Sequence, residues 1–139
     1  LNREVFEMTV DVVIDSIQKL KEISKADINE FLSDWKLHAT ALWYLYTLIQ
    51  GLLDLAGKLI AKRGFRKPKS YADYIYVLAE NNIIPKEKIN NFVEMARFRN
   101  VLAHAYANIN LRLVYEFLQQ NLQDADQLLK ILIKELERS

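Results

Sequence analysis

The sequence predicts an all-α protein: a four- to five-helix up-and-down bundle, folded as a single domain over residues 1–139. Three observations carry that expectation. Only three glycines and two prolines punctuate the chain, whereas an all-β fold needs a turn signal every ~8–12 residues. Hydrophobic residues make up 51% and charged ones 27%, a globular balance rather than a disordered one. Apolar residues recur at helical spacing through long segments.

The elements follow in order. A first helix is expected from about Arg3 to Glu22; Val5, Met8, Val12, Ile17 and Leu20 keep helical spacing but drift around the axis. Asp27 with Glu30 three residues later resembles a helix-start box for a short turn of helix near Ile28–Leu32. Ser33 or Asp34 caps a long helix that runs from about Asp34 to Lys62 and ends near Gly64. Leu42, Leu45, Ile49, Leu52, Ala56 and Leu59 form one stripe on it, and Trp43, Tyr46, Leu53 and Ile60 a second. A helix apolar nearly all round is central in its domain or shared with another subunit, and a chain this short calls for both. Pro68 and Ser70 then mark a loop and a capped helix from Tyr71 to Asn81. Pro85 and Glu87 suit the first turn of the next helix, which carries Ile89, Phe92, Val93, Ala96 and Val101. A last helix starts near Asn108 or Asn110, with Asn121 marking a bend.

Composition narrows the chemistry. With no cysteine, disulfides, thiolate metal sites and a Cys nucleophile are excluded. Two histidines, His38 and His104, are too few for a His-rich metal site. The net charge of +1 averages over local patches. The longest uncharged stretch, Ala39 to Leu53, is shorter than the about 18 apolar residues of a membrane span. No leader is visible at the N-terminus, although the chain begins with Leu rather than Met. No metal, no cofactor, no membrane association and a cytoplasmic location are therefore expected.

The stretch from Arg97 through Arg99, Asn100 and His104 to Tyr106 gathers Arg, Asn, His and Tyr at the end of an otherwise apolar helix. Residue types alone leave this open: cations at a helix C-terminus also serve the helix dipole, and Asn100 also suits a core amide. The pattern Arg99-x4-His104-x-Tyr106, with Asn100 directly after the arginine, resembles the signature of the HEPN superfamily, and within it the HepT-type toxins of prokaryotic toxin–antitoxin pairs. Lys67 to Asp73 is similar to the family's Pro-x-Ser-Tyr turn, and Leu53-Asp54-Leu55-Ala56 to an acidic position in its long second helix. The segments Ile83-Ile84-Pro85 and Met95 to Asn100 follow the family order, so the likeness covers roughly Phe31 to Val114. Gln50, one turn before Asp54, departs from the family's further acidic positions.

The resemblance implies a HEPN-like, dimerising fold and a metal-independent endoribonuclease whose two motifs face a cleft between paired copies. Arg99 and His104 are five positions apart, ~140° around an ideal helix. One chain brings them face to face only if the helix ends between them; otherwise a second copy across a two-fold axis supplies the missing group, or the chain from Ala105 to Asn108 leaves the helix and turns His104 and Tyr106 toward the cleft. In that reading His104 is the general acid/base, Arg99 holds the phosphate, and Asn100 orients. Tyr106 contacts the phosphate, stacks on a base, or accepts AMP from an MntA-like nucleotidyltransferase antitoxin. Asp54 either orients the site or pairs on the surface with Lys58.

Lys58, Lys62, Arg63, Arg66, Lys67 and Lys69 run without an intervening acid. Lys62, Arg63, Arg66 and Lys67 are the candidate RNA contacts, against the alternative of a solvated helix end. Trp43, Tyr44 and Tyr46 are expected in packing at a dimer seam, Trp35 in the core or seam, and His38 as a packed or exposed histidine. The competing functional class is a non-catalytic HEPN module that binds a nucleotide or a nucleotidyltransferase partner. A plain helical dimerisation protein is the third.

Overall fold

A computed structural model describes residues 2–104 and 106–139, the side chain of residue 106 excepted. Among the described residues the fold is all-helical. The helices are α1 (Arg3–Ile23), α2 (Ile28–Ser33), α3 (Trp35–Arg63), α4 (Tyr71–Glu80), α5 (Ile89–His104), α6 (Leu111–Gln120) and α7 (Leu122–Arg138). Short 3-10 turns cover Lys86–Lys88 and Tyr106–Asn108. The long helices α1, α3, α5 and α7 form the bundle, while α2, α4 and α6 close its sides.

Local chemistry sets the boundaries. Asn2, Asp27, Asp34, Ser70 and Asn110 each accept a backbone N–H at a helix start, satisfying donors that the first turn leaves unpaired. Asp34, not Ser33, caps α3, and Asn110, not Asn108, caps α6. Gly64 ends α3 in the left-handed region at φ 67°, which glycine adopts without steric cost. The bend expected at Asn121 is a full break that separates α6 from α7.

The centre of the molecule is α3, packed against α1, α4, α5 and α7. Leu45, Leu48, Leu52, Leu55 and Leu59 are buried along one face, and Gly51, Leu53 and Ile60 widen the buried arc to more than half of its circumference. Gly51 lets α1 approach, because a Cβ there would stand 2.5 Å from Val13 Cγ2. The drifting pattern in α1 resolves into two faces. Phe6, Val13, Ile17 and Leu20 point inward, while Val5, Met8 and Val12 form a separate exposed stripe.

Buried Asp124 ties α7 to the start of α5. Its carboxylate accepts from Lys88 Nζ (3.0 Å), Asn91 Nδ2 (3.2 Å) and Asn121 Nδ2 (3.1 Å). Burial pushes this carboxyl up, but the three donors and the charge of Lys88 outweigh that and hold it below the usual range. Among the described residues no helix is long and apolar enough to cross a membrane.

Candidate functional site

The α5 helix continues unbroken through His104, so it does not end between the two motif residues. At ~100° per residue the side chains of Arg99 and His104 leave the axis ~140° apart. Arg99 turns inward toward α3 and α4 and is half-buried, while His104, the last helical residue, is exposed. Within one chain they do not converge.

Arg99 is held from three sides. Its Nε donates to Gln50 Oε1 at 2.9 Å and its Nη2 to the Tyr46 hydroxyl at 3.3 Å. Its Nη1 reaches Asn100 Oδ1 at 3.4 Å. The guanidinium carbon lies 4.4 Å from the centre of the Tyr71 ring and 5.5 Å from that of Tyr46, within cation–π range of both. A guanidinium has five N–H donors; the three contacts use three, leaving two for an anion. The cation is thus oriented by neutral and aromatic partners and, among the described residues, is paired with no carboxylate.

Asp54 enters this network indirectly. It is exposed and accepts from Gln50 Nε2 at 2.9 Å. It neither meets Arg99 nor, among the described residues, pairs with Lys58. Tyr46, Gln50 and Asp54 are spaced four apart on α3 and so share one face of it. Gln50, which the sequence marked only as a departure, is the residue in direct contact with the arginine. The i, i+4, i+8 polar line through an apolar helix was its signal. Tyr46 and Tyr71, expected as packing or as part of a turn, contribute to the arginine's seat. The Tyr106 side chain lies outside the described residues.

The basic segment is only partly available to an external anion. Arg63 donates to Glu135 Oε1 at 3.0 Å and to the Glu135 carbonyl and Ser139 Oγ. Lys62 Nζ donates to the Ser139 carbonyl at 2.7 Å. Arg66 is bidentate to Asp73 (2.8 and 2.9 Å) and also reaches Glu80 at 2.7 Å. Arg66 holds the Asp73 carboxyl down to about 2, helped by the backbone N–H of Lys69. Among the described residues Lys67 has no carboxylate partner, which makes it the most available of the four expected RNA contacts.

Beside the Arg99 seat, an open apolar groove of about 420 Å³ runs between α1 and α3, with Val5, Met8, Val12 and Trp43 meeting Tyr46, Gln50 and Asp54. Met8 is 61% exposed and Trp43 65%. Tyr44 lies under Lys19, its ring centre 6.0 Å from the ammonium. Trp35 is 68% exposed, which removes it from the core of the single chain. His38 is half-buried, with Nδ1 3.0 Å from the Phe31 carbonyl oxygen and its ring edge-on to Phe31.

A family model described as Ribonuclease HepT-like matches residues 13–132. The mRNA nuclease HepT of Shewanella oneidensis is 26% identical over 128 residues, which cover 88% of this chain and 96% of that protein. The solved structure of the tri-AMPylated Shewanella oneidensis HEPN toxin in complex with MNT antitoxin superposes with a TM-score of 0.84 at 22% identity, covering 96% of this chain and 99% of that one. The cytosolic protein YutE of Bacillus subtilis, of unknown function, superposes with a TM-score of 0.82 at 15% identity, covering 99% and 92%.

Proposed function

The chain belongs to the ribonuclease HepT-like family, and from that premise we propose that it is a metal-independent endoribonuclease, the toxin of a type VII-like toxin–antitoxin pair. The observation that carries this reading is the Arg99 guanidinium, clamped by Gln50, Tyr46 and Tyr71 with donors to spare, on the same helix as solvent-facing His104.

The reaction needs few groups. The 2′-hydroxyl of RNA attacks the adjacent phosphorus, and His104 takes its proton. The bond to the 5′-oxygen breaks as that oxygen takes a proton from a His104 imidazolium, and a 2′,3′-cyclic phosphate and a 5′-hydroxyl result. Arg99 offsets the charge that develops on the phosphoryl oxygens. Asn100, 3.4 Å from Arg99, orients the same anion, and Lys67 is the accessible RNA contact.

Because one α5 aims Arg99 and His104 apart, the working form in this reading is a homodimer. The exposed stripe of Val5, Met8 and Val12 with Trp43 supports that assembly. It is an apolar patch adjoining the arginine seat, and a two-fold axis there would pair two motifs in one cleft. The partner class is an MntA-like nucleotidyltransferase. AMP placed on Tyr106, two residues beyond His104, adds negative charge and bulk where the RNA phosphate must lie. An enzyme of this kind works on RNA in the cytoplasm.

The test is cleavage of purified RNA in EDTA with analysis of the product ends. Wild type is expected to leave cyclic phosphates, and His104→Ala and Arg99→Ala to leave the RNA intact. Equal cleavage by His104→Ala would refute the assignment, and RNA binding without any cleavage would favour the non-catalytic module. Incubation with the antitoxin and ATP should raise the mass of wild type but not of Tyr106→Phe.

A further inference from the structure

On the outer side of the arginine seat a second groove, of about 890 Å³, opens between α4, α5 and the loop that joins α3 to α4. Ala72, Asp73 and Tyr76 form its α4 wall, and Arg97 and Asn100, one helical turn apart, form its α5 wall. Lys67 and Lys69 lie along its loop edge. We infer that this groove is a base-binding subsite for single-stranded RNA, with Tyr76 as the stacking platform and Lys67 and Lys69 as phosphate contacts. The inference rests on the ribonuclease reading and extends it to the class of substrate.

Three features carry it. Tyr76 is 41% exposed although it sits on a helix whose neighbours Ile75, Val77 and Leu78 are buried. An aromatic ring flanked by cations is the usual platform for an unpaired base. The cations are unequal. Arg66 is committed to Asp73 and Glu80, and Arg97 shares an exposed contact with Glu94 at 3.2 Å. Among the described residues Lys67 and Lys69 pair with no carboxylate, so their charges remain available to phosphates. The groove is also continuous with the proposed chemistry, because Asn100 lines it while accepting from Arg99. A nucleotide stacked on Tyr76 therefore flanks the one whose phosphate Arg99 holds.

Single-strandedness follows from the geometry of stacking. The ring can cover a base only if that base is out of a helix, where both of its faces are free. A duplex would offer phosphates to the lysines but nothing to Tyr76.

The experiment uses a labelled unstructured oligoribonucleotide, the same strand annealed to its complement, and wild type, Tyr76→Ala, Tyr76→Phe and Lys67→Glu/Lys69→Glu proteins. Binding is read in EDTA, and KM and kcat from cleavage of the same strand. Tyr76→Ala is expected to weaken strand binding and raise KM about 5- to 100-fold, with kcat and melting temperature unchanged. Tyr76→Phe should match wild type. The double lysine variant should flatten the dependence of log affinity on log salt by about 1.4. Wild-type behaviour of Tyr76→Ala, equal impairment of Tyr76→Phe, or equal affinity for duplex and strand would overturn the subsite. So would an effect confined to inhibition by the antitoxin, which would make the groove a protein contact. If wild type cleaves nothing but binds the strand in a Tyr76-dependent way, the nuclease reading falls and the subsite stands. Absence of both binding and cleavage ends both.

Discussion

The side-chain oxygen of Gln50 lies 2.9 Å from Arg99 Nε, and the amide nitrogen of the same glutamine donates to Asp54 at the same distance. An uncharged group is therefore interposed between a cation and an acid. A carboxylate at Gln50's place would compete with an incoming phosphate for the guanidinium. An amide fixes the orientation and leaves the charge available.

Gln50→Leu should lower kcat about tenfold while the fold persists. The loss corresponds to one hydrogen bond to a charged group, about 1.5 kcal/mol. Asp54→Asn keeps an oxygen acceptor for the glutamine amide and should be milder. The measurement is kcat on RNA beside a melting curve. Unaltered turnover in Gln50→Leu would show that the arginine needs no such holder.

Met8→Glu should convert the proposed dimer to a monomer. Met8 stands between Val5 and Val12 on the exposed α1 stripe, and a charge there must be desolvated at an apolar interface. Sedimentation should show half the wild-type mass, with helicity retained and RNA cleavage lost. A monomeric protein that still cleaves RNA would remove the need for a second copy.

Gly51→Ala should destabilise the chain by up to about 2 kcal/mol. Helix propensity favours alanine by about 1 kcal/mol, but a Cβ 2.5 Å from Val13 Cγ2 overpacks the α1–α3 contact, at about 1–3 kcal/mol. Urea unfolding of Gly51→Ala, Val13→Ala and the double variant checks this. The double variant should lose less than the sum of the two singles. Strict additivity would place the strain elsewhere.

The Asp73 carboxyl titrates at about 2 in the folded chain against an ordinary 3.8. Its ionised form therefore stabilises the fold above the ordinary value, and that contribution is lost as pH falls through about 2. The stability gap between wild type and Asp73→Asn should be full at neutral pH and close as the pH drops from about 4 to about 2. Denaturant titrations at stepped pH read it directly. A gap that stays constant across that range would mean Arg66 does not discriminate the charged form.

Much of the architecture was legible because its signals are local. The caps at Asp34, Ser70 and Asn110 lie within three residues of the donors they satisfy, and the αL glycine at Gly64 closes α3 where expected. Arg99 and His104 stand out in the sequence through their spacing and their neighbours, and their catalytic roles belong to the proposed reaction. The long-range pairing was not. Arg63 read as an RNA contact because its partner Glu135 lies 72 positions away, and no local pattern announces such a pair. Arg66 meets Asp73 at a separation of seven, across a loop whose course the sequence leaves open. Gln50 was obscured for a different reason. It stands where relatives of this fold carry an acid, and its polar line with Tyr46 and Asp54 is visible only at helical spacing.

One helix thus presents three bearings: Arg97 and Asn100 to the outer groove, Arg99 to the seat on α3, and His104 to solvent at the tip. Each added residue rotates everything beyond it by about 100°. A single insertion after Asn100 would leave the arginine in place and swing the imidazole off its line. The register of this segment is consequently rigid against changes in length, whereas extra residues beyond Asn108 would alter only the approach to the next helix.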